Sequence, residues 1–599
     1  MTLVSQIKNA ALDAFKHLYP EVPTDISMIS VNQTKPEFTG DYTVVLFPFV
    51  KLLRQRPDAL GKQIGDYLID NFPLFTQYAV VSGFLNLSIN DNWWKTFLKD
   101  NVTQTVFGLD NEHSHKVMVE YSSPNTNKPL HFGHMRNIFL GAAMSEILKA
   151  NNNEVIKANL VNDRGIHICK SMIAWQKFGN GATPDSTGMK GDHLVGDYYV
   201  KFNDIYKQEV AQLIAQGKTE KEAEKEAPIM IGAQEMLRQW EAGDHEVRQL
   251  WQTMNGWVYK GFDETYHRLG ITFDKMYYES DTYLLGKKLV EEGLAKGVLF
   301  NKEDGSAWVD LKADGLDEKL LLRGDGTSVY MTQDLGTAKL KYDDFLIDQS
   351  VYVIADEQNY HMQVLKLILK KLGEPCADGI YHLSYGMVEL PTGRMKSREG
   401  TVVDADDMVN EMISMARQQT EESGKTEGFK PEELENLYET LGMGALKFYL
   451  LRVDPKKKMI FDPKESIDLH GFTATFIQYA HARICSILRR EHIDLTPGQE
   501  QFASFTPTSD LLHLEKEMIL TLEQYPTILS ESGMEFNPSL ICNYSFRLAQ
   551  LFNTFYDAHS ISKAETEEKK QLRLMIIVLT ASILRHGMSL LGIRLPEKM

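Results

Sequence analysis

Three observations predict an α/β fold: a doubly wound, parallel-sheet (Rossmann-like) domain set between an α+β module and an all-α helical bundle. Short β-branched apolar runs alternate with amphipathic helical stretches across residues 113–465. A mixed helix-and-strand segment precedes them over 1–112. From about 466 to 599 the strand signals stop and the apolar residues keep helical spacing. Strand–helix alternation implies parallel strands joined by helical crossovers and buried on both faces. At about 150 residues per domain, 599 residues leave room for three or four.

The chain opens on Val4, Ile7, Ala11, Ala14, Phe15 and Leu18, the spacing of one helical face. TVVLFPF and YAVVSGFLNLSI read as strands of the first module. GLDNEHSHK is the expected linker. KVMVEY (116–121) reads as a buried parallel strand, followed by EVIKANLV (154–161), SVYMTQDL (328–335), SVYVIAD (350–356) and YHLSYGMVEL (381–390). About 180–260 interrupts this rhythm as an insertion, and its charged run GKTEKEAEKEA fits a solvated surface helix. Four long helical patterns after 466 predict the bundle.

Composition narrows the function classes. With 43% hydrophobic and 24% charged residues the chain is an ordinary globular one. Cys169, Cys376, Cys485 and Cys542 are far apart and form no C-x-x-C pair, so no zinc site or disulfide framework is expected. Free thiols fit the cytoplasm. No signal peptide is read at the N-terminus, and LMIIVLTASIL is read as a buried helix too short to span a membrane. A net charge of -18 weighs mildly against nucleic acid, although phosphate binding needs only a local basic patch.

The chemistry concentrates in SSPNTNKPLHFGHMRN (122–137). Met135, Ile138, Phe139, Ala142, Ala143, Ile147 and Leu148 continue at helical spacing, so His131 and His134 lie at a strand-to-helix turn. Gly133 lets a ligand approach the backbone, and a helix start directs free N–H groups at an anion. Imidazoles placed there are donors to developing phosphate charge. A histidine pair also fits a metal, but no glutamate lies between them and no third ligand is evident. Far downstream, ELPTGRMKSREGTVV (389–403) places Arg394, Lys396 and Arg398 on a Gly- and Ser-containing loop.

P-L-H-F-G-H after a buried strand resembles the first signature of class I aminoacyl-tRNA synthetases, and the downstream loop resembles the second, which grips the pyrophosphate end of ATP. SSPNTNKPLHFGHMRN, KGDHLVGDYYVKF, YMTQDL and MSLLGIRLPEKM are similar to the arginyl-tRNA synthetase family over the whole chain. The resemblance implies an arginine–tRNA ligase, with L-arginine, ATP and tRNA as partners, Mg²⁺ entering with ATP, and a tRNA-contacting first module and anticodon-binding bundle. It implies ATP contacts at Ser123, Pro124, His131, Gly133, His134, Lys396, Ser397 and Arg398. It implies catalytic roles for Lys128, His131, His134 and Lys396. Arginine contacts fall on Glu120, Asn125, Tyr330, Asp334 and Gln358, with His361 nearby. A carboxylate such as Asp334 suits a guanidinium, which it binds bidentately. Two departures stand out: Ser397 replaces the usual second lysine, for which Lys128 stands in, and NDRGIH (162–167) replaces a Gly-Asp-Trp-Gly-Thr-Gln-like stretch. A cytoplasmic monomer is expected. The alternatives are another nucleotidyltransferase with the same ATP signatures and a tRNA-binding relative without catalysis.

Overall fold

The structure, a computed structural model, describes residues 2–35, 37–104, 107, 114–391, 403–424, 426–493, 502 and 505–599. The first module holds β1 (Val31–Gln33), β2 (Tyr42–Val45), β3 (Phe75–Val81) and β4 (Phe84–Ile89), antiparallel in the order β1-β2-β4-β3. The stretch read as one strand, YAVVSGFLNLSI, is a hairpin. Its turn is Ser82 and Gly83, with φ of 47° and 87°, and a two-residue loop of this kind needs positive φ at both places. The FPF read as strand is the start of the helix Phe47–Leu53, where Pro48 suits the first turn.

The central sheet uses β5 (Lys116–Glu120), β6 (Glu154–Val161) and β7 (Lys275–Tyr278). A small antiparallel sheet of β8 (Leu299–Asn301), β9 (Ala307–Val309) and β10 (Lys319–Leu322) then intervenes. β11 (Gln349–Ala355) and β12 (Ile380–Tyr385) complete a parallel sheet in the order β12-β11-β5-β6-β7. Strand order reverses between β5 and β11, so the carboxyl ends of those strands flank the crevice where doubly wound sheets bind ligands. All the described elements between β6 and β7, from Ile166 to Leu269, are helical. This includes the expected surface helix, Glu220–Glu226. A short pair, β13 (Val388–Glu389) with β14 (Met459–Ile460), follows.

One strand expectation is wrong. SVYMTQDL is the start of the helix Tyr330–Phe345. β-branched and aromatic residues favour a strand locally, but Met331, Leu335 and Ala338 are buried at helical spacing, and their packing overrides the local preference.

The helix Phe132–Ala150 is buried on every side, from Phe132 to Leu148, as a helix in the middle of a large core must be. Gly141 is required there, because a Cβ would overlap the Tyr121 ring. Beyond β14 no described residue is in a strand. Five helices, Ala474–Arg490, His513–Glu523, Tyr525–Met534, Ser539–Ala558 and Glu567–Leu590, form the bundle. The last contains LMIIVLTASIL. By length and composition it could cross a membrane, yet most of its apolar stretch is buried among the other helices. The boundary expected at 112/113 lies outside the described residues.

The first module docks on this bundle. Tyr42 donates to Glu523 Oε2 at 2.6 Å, the Leu3 N–H to Oε1 at 3.3 Å, and Lys516 pairs with Asp41 at 3.0 Å. Inside the bundle, Glu515 is wholly buried between Arg573 (2.9 Å) and Lys569 (2.6 Å). Removing one partner from a buried ion network strands the others. Glu515→Gln should therefore destabilise the protein by about 3 kcal/mol. Urea unfolding checks this, and a midpoint equal to the parent's would show that the network carries no net charge attraction.

Candidate active site

The chain leaves β5 through Tyr121 and then Ser122 and Ser123, whose φ angles of 73° and 44° are left-handed. Non-glycine residues hold such angles only where their surroundings dictate it. Here asparagines do so. Asn137 Oδ1 accepts from the Ser122 N–H at 2.6 Å while its amide donates to Val353 O of β11 at 2.5 Å. Asn159 Oδ1 accepts from the Ser123 N–H at 3.0 Å. Asn162 exchanges backbone bonds with Pro124 and Thr126, so Asn125 lies bridged to it. The turn is thus tied to both strands flanking β5.

His131 caps the helix Phe132–Ala150, and its ring stacks on that of His134 at 3.7 Å between centroids. His134 Nδ1 accepts from the His131 N–H at 3.0 Å. The His134 proton therefore sits on Nε2, ready to donate. The Lys128 ammonium lies 3.4 Å from His131 Nε2. Burial first, and then Lys128, push the His131 imidazole down to about 3. Burial, His131 and Lys128 push His134 well below its ordinary value. Both rings are neutral donors at neutral pH. Arg136, one turn inside the helix, is fully buried; it donates to Gly386 O, to Lys457 O at 2.8 Å and to Asp454 O at 3.3 Å.

Lys396, Ser397, Arg398 and Arg394 lie outside the described residues. The residues just after them pair with the histidine turn: the Phe132 N–H donates to Val403 O at 2.9 Å, the Ala405 N–H to Leu130 O at 3.1 Å, and Asp404 bridges His131.

The arginine candidates divide. Asn125 is on the turn and Glu120 ends β5. Glu120 is buried, and its Oε2 is paired with the buried Lys341. Tyr330 and Asp334 lie one turn apart at the N-terminal end of their helix, with Tyr330 exposed. Asp334 Oδ2 is 2.6 Å from His361 Nε2. Gln358 is exposed in the short 3₁₀ turn after β11.

One acidic residue was missed in the sequence. Glu279 directly follows β7, at the carboxyl edge of the sheet. Burial pushes its carboxyl up to about 7, Arg164 opposes this, and Asp163 and Asp334 add to it. The signal available was an acid straight after a strand of the sheet. NDRGIH is resolved as scaffold. The Asp163 carboxylate accepts from Ser280 (2.8 and 2.7 Å) and Tyr259 (2.8 Å), and Arg164 stacks over Tyr283 while pairing with Glu241 at 2.8 Å.

Residues 98–462 match the family described as tRNA synthetases class I (R), catalytic domain, and 477–599 the DALR anticodon binding domain. Arginine–tRNA ligases of Parabacteroides distasonis and Bacteroides thetaiotaomicron are each 51% identical, covering all of both chains. The chain belongs to the arginyl-tRNA synthetase family. The arginyl-tRNA synthetase structure of Thermus thermophilus superposes on it with a TM-score of 0.80 at 25% identity, covering both chains completely. As an arginyl-tRNA synthetase family member it is a ligase that forms an aminoacyl-tRNA, and the fold is that of the class I enzymes.

The depressed histidines predict a pH dependence of stability. In the unfolded chain each takes up a proton near pH 6.5, whereas the folded chain keeps them neutral. The unfolded state thus binds more protons below that value, so stability is complete above about 6.5 and falls as pH drops toward about 3. His134→Asn should lose less stability than the parent between pH 7 and pH 5 in urea titrations. An equal loss would mean that His134 is not held neutral.

Proposed function

We propose that this chain charges tRNA with L-arginine in two steps, using the turn after β5 for phosphate chemistry and residues at the carboxyl ends of β5, β7 and β11 and on the helix Tyr330–Phe345 for the amino acid. In the first step the arginine carboxylate attacks the α-phosphate of ATP, supplied as its Mg²⁺ complex, giving arginyl-adenylate and pyrophosphate. In the second, the terminal ribose 2′-hydroxyl of tRNA takes the arginyl group and AMP leaves. Such transfers need positioning and charge stabilisation more than covalent chemistry. His134 donates from Nε2, with His131 stacked on it. Ser123, Pro124 and Gly133 offer backbone at the turn. Lys128, Lys396, Ser397 and Arg398 hold the outer phosphates. The observation that supports this reading is the pairing of Val403–Ala405, just after the downstream loop, with Leu130–Phe132 of the histidine turn.

Asn125 and the Oε1 of Glu120 receive the amino-acid head group. Tyr330, Asp334 and Glu279 receive the guanidinium, with Gln358 at the rim. A half-buried carboxyl that burial and neighbouring carboxylates push upward, as Glu279 is, makes a poor empty site for charge and a good cation site. Within the same reading, the first module and the bundle contact tRNA, and the enzyme is a cytoplasmic monomer. On the helix Ala474–Arg490, Arg483 is engaged by Asn553 at 2.9 Å and by the Tyr479 and Tyr556 rings. Arg489 donates to Glu597 O at 2.8 Å but is exposed, as Arg490 is, so these two are the better candidates for tRNA phosphate. The overall test is charging of total tRNA with each amino acid offered separately: only arginine should be incorporated.

Asp334→Asn keeps the shape and removes one charge. The KM for arginine should rise about a hundredfold or more, as for a broken buried ion pair, with little change in the KM for ATP. Wild-type saturation by arginine would place the guanidinium elsewhere.

Lys128→Ala should slow single-turnover arginyl-adenylate formation, measured with tRNA present, by about tenfold to a thousandfold. Adding Ser397→Lys should partly restore the rate and do less in the parent, a coupling that a double-mutant cycle measures. Near-normal adenylation by Lys128→Ala would leave Lys396 and Arg398 as the principal cations.

A further inference from the structure

The helix Gly191–Ala215 of the insertion reaches the histidine turn at its N-terminal end. A cleft of about 310 Å³ lies there, lined by Lys128 and His131 on one side and by His193, Asp197 and Asp404 on the other. His193 Nε2 is 3.1 Å from Asp404 Oδ2. The other oxygen of Asp404 caps the helix Ala405–Glu422, accepting from the Asp406 N–H at 2.7 Å. The backbone of Asp404 and its two neighbours pairs with Leu130, His131 and Phe132. One aspartate therefore joins an insertion helix, the next helix and the catalytic turn.

We propose that His193, as an imidazolium, is a positioning residue for adenylation, holding Asp404 and through its backbone the turn that presents His131. The inference rests on the assignment of His131 and His134 to the adenylation step.

The neighbours decide the charge state. His193 faces Asp404 and Asp406 (3.8 Å) from the helix Ala405–Glu422 and its cap, with Asp407 lining the same cleft. Lys190, Asp192 and Asp197 face it from its own element, and Lys128 and His131 from the turn. The acids outnumber the cations. Asp404 raises the His193 imidazole above its ordinary value, against burial, and Asp192 assists. For Asp404, burial acts upward, but the contact with His193 and the capping N–H groups bring the carboxyl below its usual range. The two directions agree on a charged pair. His193, Asp404 and Asp406 could also be taken for a metal triad. The Lys190 ammonium, 2.6 Å from Asp406 Oδ2 and 3.3 Å from Asp192 Oδ2, already supplies the cation there.

A raised imidazole keeps its proton, and hence the clasp, below its folded-state value. The clasp weakens as pH rises through that value. His193→Leu should lower the single-turnover rate of arginyl-adenylate formation, with tRNA and both substrates saturating, by roughly tenfold to a hundredfold, because small misplacements of reacting groups cost that much. The KM for arginine should stay within about twofold, since a positioning defect acts on the step and not on the guanidinium site. His193→Gln keeps a side-chain donor and does not titrate. It should recover most of the rate and lack the alkaline decline expected of the parent as pH rises above the ordinary imidazole range. Far-ultraviolet circular dichroism and thermal melts accompany both variants. If His193→Leu fails to fold, the pH profile of His193→Gln decides alone: an alkaline decline identical to the parent's overturns the proposal. A folded His193→Leu with the parent's rate also overturns it, as does a defect confined to the KM for tRNA. His134→Ala is run alongside. A slow His134→Ala beside an unimpaired His193→Leu sinks this inference alone, whereas an unimpaired His134→Ala removes the reading beneath it.

Discussion

The site depends on one backbone constraint: between β5 and the helix Phe132–Ala150 the chain must turn out of the sheet at the point where strand order reverses. The strand is buried on both faces and the helix on every side. Neither can shift to relieve the turn, so the turn itself carries the strain, at Ser122 and Ser123. Asn137, Asn159 and Asn162 satisfy its backbone groups. Side-chain amides suit this task because each offers a donor and an acceptor in one plane, and these three reach the turn from elements already packed or paired against β5. The histidines inherit a fixed geometry from a scaffold that was already fixed.

Electrostatics follow from that burial. A charged imidazole beside Lys128 would be costly in so dry a place, and both rings stay neutral. On the proposed reading the site's positive charge then belongs to lysines and arginines, which can follow phosphate as it moves, while the imidazoles supply directional N–H groups. The acidic net charge is no obstacle. Many carboxylates are tied to local partners, as Glu515, Glu523 and Asp163 are, so the field at a cleft depends on what lines it.

Much of this was legible in the sequence because it rests on periodicity and on short motifs. β6 begins and ends at the expected residues, 154 and 161, since its β-branched and apolar residues lie between the turn asparagines Asn151–Asn153 and Asn162. The helix at Tyr330 was not legible: the first residues of SVYMTQDL favour a strand, and only the core that Leu335 and Ala338 enter makes them helical. Glu279 and Asp404 were missed for another reason. Each is an unremarkable acid in its own segment and gains meaning only from neighbours far away in the chain, Asp334 for one and His193 for the other. NDRGIH looked like a departure at the substrate and is a brace, with Asp163 holding Ser280 and Tyr259.

On the proposed reading, the acidic groups Asp334 and Glu279 show how a site for an obligate cation can exist before the cation arrives. Two carboxylates kept ionised and half-buried would repel each other and lose hydration. The protein avoids this in two ways. Asp334 lies 2.6 Å from His361, and Glu279, raised to about 7, holds a proton for much of the time near neutrality. On the proposed reading, an arriving guanidinium restores the charge of Glu279 and expels its proton, because a nearby cation favours the ionised carboxyl. Binding and proton release are then linked, and arginine should hold more weakly as the pH falls below the Glu279 value. Lysine carries the same charge but not the planar fork that two carboxylates can grip together, so discrimination comes from geometry on top of this shared electrostatic cost.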